Sequence, residues 1–190
     1  MSGSAWLVAY AIDAGLTNWI NGLSGHERYA DALMRWVSSV GVPVMVFAVA
    51  CQWWSQVNRR HTRHVLLAAG FSFMLGLVLN QLVLLFLHRV RPYDAGVTSL
   101  LIAPSGDPSF PSDHATAAFA IAVALMAYRF RGAKAYLFAA ALISFSRIYV
   151  GTHFVSDTIG GALTGMIAAC AVYWTYKENT RADRFLTGIL

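Results

Sequence analysis

Val65-Leu-Leu-Ala-Ala-Gly-Phe-Ser-Phe-Met-Leu-Gly-Leu-Val-Leu-Asn-Gln-Leu-Val-Leu-Leu-Phe-Leu87 carries no charged side chain along its whole length. A helix needs about 20 predominantly apolar residues to cross the hydrocarbon of a bilayer, and this run is long enough. Its two amides, Asn80 and Gln81, belong against other helices rather than lipid, where interhelical hydrogen bonds satisfy them. The remainder of the chain is of the same kind. It has 190 residues, 57% of them hydrophobic and 12% charged, with a mean hydropathy of +0.54. Soluble domains carry about 25% charged residues. The expectation is an all-α, polytopic membrane bundle of about five spanning helices, near residues 42–54, 65–87, 112–128, 135–150 and 154–176.

A single domain covers residues 1–190. Residues 1–40 mix polar positions with Trp6, Tyr10, Trp19, Tyr29 and Trp36, which predicts amphipathic helices lying in the membrane interface with their rings at headgroup depth. The alternative is a first span over residues 4–20. The helical core is expected over 42–176 and a polar cytoplasmic tail over 177–190. The opening residues lack the basic region of a cleavable leader. Cys51 and Cys170 lie inside apolar segments and are expected as buried thiols rather than a disulfide. Gly160, Gly161, Gly165 and Ala169 form a small-residue packing stripe in the last span.

Nine of the 14 Lys and Arg residues fall on one face if five spans alternate: Arg59, Arg60, Arg63, Arg129, Arg131, Lys134, Lys177, Arg181 and Arg184. By the positive-inside rule that face is cytoplasmic. The net charge of +5 is spread over these short loops, so it does not make the basic face of a nucleic-acid binder.

Three polar clusters share the opposite face: Arg89, Arg91 and Pro92; Ser112, Asp113 and His114; and Ser146, Arg147, His153 and Asp157. Ionisable groups beside a membrane core are costly and mark function. Arg91 and Arg147 present planar forks suited to phosphate oxygens. Ser112 stands where it could cap the helix of the third span and leave backbone N–H groups directed at an anion. His153 and Asp157, four residues apart, share a helix face if the fifth span begins near His153. A carboxylate on one imidazole nitrogen leaves the other free as a nucleophile, and His114 is then available as general acid.

These residues resemble the signatures of the type 2 phosphatidic acid phosphatase (PAP2) superfamily, which includes vanadium haloperoxidases. Ser146-Arg147-x5-His153-x3-Asp157 matches its third signature. Pro111-Ser112-Asp113-His114 is similar to the second, usually Pro-Ser-Gly-His, and Arg91-Pro92 to the end of the first, Lys-x6-Arg-Pro. The resemblance covers about residues 80–157 and the surrounding helices. Two positions depart: Leu84 stands where the family has Lys, with Arg89 or His88 as substitutes off the family spacing, and Asp113 replaces Gly. Within the superfamily, the short chain, Phe-Pro-Ser-Asp-His and the compact tail look most like the bacitracin-resistance type of undecaprenyl pyrophosphate phosphatase.

That resemblance implies a metal-independent enzyme without cofactor, acting on a polyprenyl pyrophosphate lipid at the outer face of a bacterial inner membrane, among membrane lipids and without nucleic acid. It assigns His153 as nucleophile, Asp157 as the group that orients it and His114 as general acid and base. Arg91, Arg147 and Ser112 become phosphate ligands, joined by Arg89 and Asp113 as further candidates. Phosphatidic acid or phosphatidylglycerol phosphate is the alternative substrate. An anion transporter is the non-enzyme alternative, but the polar groups gather at one face instead of threading the membrane, and no inverted repeat is visible. A metal site of His114, His153, Asp113 and Asp157 is disfavoured by two arginines in the same place.

Overall fold

The computed structural model describes residues 3–188, so residues 1–2 of the N-terminal segment and 189–190 of the tail lie outside it. Seven α-helices follow in order: α1 Gly3–Asn21, α2 Arg28–Cys51, α3 Arg59–Leu84, α4 Asp113–Ala127, α5 Ala133–Tyr149, α6 Val155–Thr175 and α7 Arg181–Thr187. A short 3-10 turn, Gln52–Trp54, extends α2. No strand occurs among the described residues.

The expected spans map onto α2 to α6. Three helical segments, Arg28–Trp54, Arg59–Leu84 and Val155–Thr175, are long and apolar enough to cross a membrane. With 15 and 17 residues, α4 and α5 fall short of the roughly 20 needed. The boundary expected near residue 42 is absent, because α2 runs unbroken from Arg28 through Pro43. Two of its early polar residues turn inward: Ser38 is fully buried, and Asp31 accepts from the Tyr149 hydroxyl at 2.8 Å. Tyr149 is a buried peg between α5 and the start of α2.

In α1 the aromatic face points outward, with Trp6 and Trp19 exposed, while Asp13, Thr17 and Asn21 face the protein. Their i, i+4, i+8 spacing places them on one stripe. This helix is inside-out: its polar side seals it to the bundle and its apolar side is left for lipid. Cys51 and Cys170 are free thiols as expected, but they lie exposed on the outer surface of the bundle rather than buried.

At the centre stands α4, packed against α3, α5 and α6. Its Ala115, Ala117, Ala118, Ala120, Ala122 and Ala124 are buried, and small side chains let backbones approach closely. A Cβ on Gly165 would stand 2.5 Å from the Thr116 carbonyl oxygen and 2.7 Å from the Ala120 nitrogen. Gly161 and Gly165 of the stripe therefore mark the contact line between α6 and α4, whereas Gly160 faces Phe110 of the preceding loop.

The basic loops gather at one end of the bundle. There α7 folds back onto α3 through the buried Asp183, which His64 Nδ1 meets at 2.7 Å, the Tyr176 hydroxyl at 2.7 Å and the Asn179 N–H at 2.8 Å. Burial would push this carboxyl up, but Tyr176, His64 and the Asn179 N–H together hold it below the ordinary carboxylate range. Its stabilisation is present above that range and is lost as pH falls through the lowered value. Asp183→Ala is expected to destabilise the fold by about 1–3 kcal/mol while turnover survives, because the cluster lies at the far end from the polar signatures. Thermal unfolding in detergent against a phosphatase assay checks both halves.

Candidate active site

The opposite end brings together the C-terminus of α3, the N-termini of α4 and α6, the C-terminus of α5, and the loop over residues 85–112. Asp157 is the third residue of α6, where it accepts from the N–H of Phe154 at 2.8 Å and so closes the first turn. Arg147 sits in the last turn of α5, and the chain reverses through Gly151, whose φ is +84°. A Cβ there would also collide with the Ser99 carbonyl oxygen, so the turn admits only glycine.

His153 is held within that turn and is almost wholly buried. Its Nδ1 lies 2.8 Å from the Ser109 carbonyl oxygen. A carbonyl only accepts, so Nδ1 carries the proton and Nε2 keeps its lone pair. Asp157 Oδ2 is 3.7 Å from the same Nδ1. The carboxylate is thus a second, longer partner rather than the direct hydrogen-bond acceptor that the i,i+4 spacing predicts. The Ser109 hydroxyl donates to Asp157 Oδ2 at 2.5 Å, so residue 109 ties both members together. Nothing in the loop sequence distinguishes Ser109 from the serines around it. Burial, with Arg147 and Arg91 nearby, lowers His153 below its ordinary value against the opposing pull of Asp157.

Nε2 of His153 faces Arg91, whose Nη1 is 3.4 Å away. Arg91 is braced by the carbonyls of Asp107 at 2.8 Å and Thr152 at 3.0 Å. Arg147 Nη1 donates to Ser38 of α2 at 2.5 Å, and its Nε has no protein partner. Both guanidiniums are buried, and neither joins an ion pair with a carboxylate among the described residues. Each repels the other, and an anion between them relieves both. Ser112 is the N-cap residue of α4, yet its hydroxyl makes no capping bond and is left buried without a partner. The expected cap is therefore made by position only, and the hydroxyl stays free. His114, in the first turn of α4, is half-buried and within electrostatic reach of His153, Arg91 and Arg147.

Two expected phosphate ligands are placed otherwise. Arg89 gives Nη1 to Asp157 Oδ1 and Nη2 to Asp13 Oδ2, both at 2.7 Å, and its guanidinium covers the Phe154 ring at 3.9 Å. Both of its terminal nitrogens are thus engaged by carboxylates, which ties it to Asp157 and Asp13. Asp113 is exposed and accepts from Asn80 at 2.8 Å, while the same amide reaches Thr116 at 2.9 Å. Asn80 thus makes the interhelical bond expected of it. Leu84, at the family Lys position, is half-buried at the end of α3. Ser38, Ser109 and Asp13 join the site without belonging to any of the three polar clusters. Only Asp13 carried a readable signal, through its stripe with Thr17 and Asn21.

Residues 64–181 match the model of the PAP2 superfamily. The undecaprenyl-diphosphatase BcrC of Bacillus subtilis (strain 168) is 34% identical over 151 residues, which is 78% of this chain and 76% of that protein. The crystal structure of a transmembrane PAP2-type phosphatidylglycerolphosphate phosphatase from Bacillus subtilis superposes with a TM-score of 0.69 at 20% identity, covering 92% of this chain and 89% of that one. LpxE of Aquifex aeolicus superposes with a TM-score of 0.66 at 26% identity, over 83% and 92%. The matched region contains every residue of the His153 cluster apart from Asp13 and Ser38, and the chain belongs to the PAP2 superfamily of phosphatases.

Proposed function

We propose that this protein hydrolyses undecaprenyl pyrophosphate to undecaprenyl phosphate through a phosphohistidine, without a metal. The observation that carries the chemistry is His153: its Nδ1 proton is fixed on the Ser109 carbonyl, and its unprotonated Nε2 faces the buried Arg91, with Arg147 within electrostatic reach of the ring. The likeness to BcrC supports the substrate. Nε2 attacks the terminal phosphorus, the N–P bond forms, and the P–O bond to the lipid phosphate breaks. His114 gives its proton to the leaving oxygen. It then takes a proton from water, whose oxygen attacks phosphorus, breaks the N–P bond and releases inorganic phosphate. Arg91, Arg147 and the Ser112 hydroxyl stabilise the phosphoryl oxygens throughout. Asp157 supports the positive imidazole of the intermediate. Asp113 acts through Asn80 on the α3–α4 junction.

The enzyme sits in the inner membrane of a bacterium with this end facing outward, a reading supported by the basic loops at the other end. A cysteine placed at Gly96 is expected to react with an impermeant label in intact cells; labelling only after lysis reverses the orientation. Purified protein is expected to release phosphate from undecaprenyl pyrophosphate in the presence of chelator, and faster than from phosphatidic acid or phosphatidylglycerol phosphate in direct competition. Loss of activity on chelation refutes the metal-free mechanism, and preference for a glycerolipid refutes the substrate.

A further inference from the structure

The carboxylate behind His153 belongs to a row of alternating charges that begins on α1. Asp13 accepts from Arg89 Nη2 at 2.7 Å, and Arg89 Nη1 reaches Asp157 at 2.7 Å. Ser156 closes the row, accepting from Arg89 at 2.6 Å and donating to Asp13 at 2.5 Å. Asp157 is fully buried, while the Asp13 and Arg89 side chains keep 14% and 26% of their exposure. Arg89 with Asp157 alone would make a neutral pair, and a neutral pair offers little to a positive imidazole. Asp13 adds a second carboxylate, so the row keeps one net negative charge beside His153. The other charged or titratable groups facing His153 are Arg91 from the loop, Arg147 from α5 and His114 from α4. None of these is an anion, so the row is the sole source of negative charge among the groups named.

We propose that Asp13 is a positioning residue for phosphoryl transfer: by sharing Arg89 it keeps the negative charge of Asp157 available to His153 as the imidazole becomes positively charged. This rests on the reading of His153 as nucleophile. It makes the docked α1 part of the active site and gives Arg89 a defined place as the bridge between the two carboxylates.

A bland role competes with this one. Asp13 Oδ1 also accepts from the Ser156 N–H at 2.9 Å, and Thr17 accepts from the Val155 N–H at 3.1 Å. Both bonds cap the first turn of α6 from α1. Charge and capping are separable, because asparagine caps as well as aspartate. Asp13→Asn keeps the acceptor and removes the charge. Its kcat on undecaprenyl pyrophosphate is expected to fall by about tenfold with KM within about twofold. The acid limb of the pH profile is expected to move down by about one unit, since a less negative surrounding disfavours the protonated imidazole. Adding Arg89→Gln restores the single negative charge on Asp157 and is expected to recover part of kcat and return the acid limb upward. Thr17→Val breaks a cap alone and is expected to lower the unfolding temperature with an unmoved pH profile.

Wild-type kcat and pH profile in Asp13→Asn overturn the proposal. So does a double variant no better than the single one, which is the outcome of a merely structural salt bridge. Asp157→Asn and His153→Ala run alongside. If those two retain turnover, the nucleophile reading fails, and that failure is distinguishable from the failure of Asp13 alone.

Discussion

His153→Ala is expected to abolish turnover, by roughly ten-thousandfold or more, the scale on which removing a nucleophile acts in covalent catalysis. The loss falls on kcat and leaves folding intact, because the turn is set by the backbone through Gly151 and by the bond from the Thr152 N–H to the Arg147 carbonyl at 3.1 Å. Quenching the wild type in alkaline detergent during turnover on labelled substrate is expected to trap a base-stable, acid-labile phosphoprotein, which the His153 variant cannot form. His114→Ala is expected to lose about 10²–10⁴-fold, in line with general acid–base catalysis. That variant should still accumulate phosphoprotein from a substrate whose leaving group needs no proton. The pH profile follows from the same ring. Burial first, then Arg147 and Arg91, lower His153 below its ordinary value. The neutral, nucleophilic form therefore persists into acid. The acid limb of kcat/KM is expected below about pH 6.5, the unperturbed histidine value. A limb at or above 6.5 places a different group in control.

Much of this arrangement was legible in the sequence because two strong signals coincide. Apolar runs long enough to span a bilayer fix helices, and the alternation of those helices sorts the polar clusters to one end. The signature spacing through Arg147, His153 and Asp157 then carries the family. What was not legible follows from partners that lie far off in sequence. His153 donates its hydrogen bond to a loop carbonyl 44 residues away, and a backbone carbonyl leaves no residue-type signal. Arg147 is anchored by Ser38 across 109 residues, and a single serine in a helix reads as a surface residue. Arg89 illustrates the opposite failure. A cation next to a phosphate signature invites assignment to phosphate, but carboxylates on two different helices decide its partners. Within residues 1–40, Asp13, Thr17, Asn21 and Ser38 face the bundle through partners that are likewise distant in sequence.

Gly161→Ala is expected to damage stability and activity together, although alanine is the better helix former by about 1 kcal/mol. A Cβ at Gly161 would collide with the Ser112 carbonyl oxygen and stand 3.0 Å from Ala115 Cβ and 3.1 Å from Thr116 Oγ1. The first of these is backbone at the start of α4 and cannot rotate away. Overpacking of this kind costs about 1–3 kcal/mol, which outweighs the gain in propensity. Relief requires α6 to move off α4, and that motion pulls on the bond from the Thr116 hydroxyl to the Gly161 carbonyl at 3.0 Å and the bond from the Ser112 N–H to the Asp157 carbonyl at 3.1 Å. Ser112 and His114 ride on α4, whereas His153 and Asp157 precede or open α6. A shift between the two helices therefore separates His114 from His153, the proposed acid and nucleophile, and a displacement near 1 Å costs on the order of 10²-fold in rate. Gly70→Ala supplies the contrast, because no atom lies within 4 Å of the added carbon. That variant is expected to keep full activity and lose no stability. Measured side by side in detergent, equal behaviour of the two variants would remove close α4–α6 contact as the device that holds the site together.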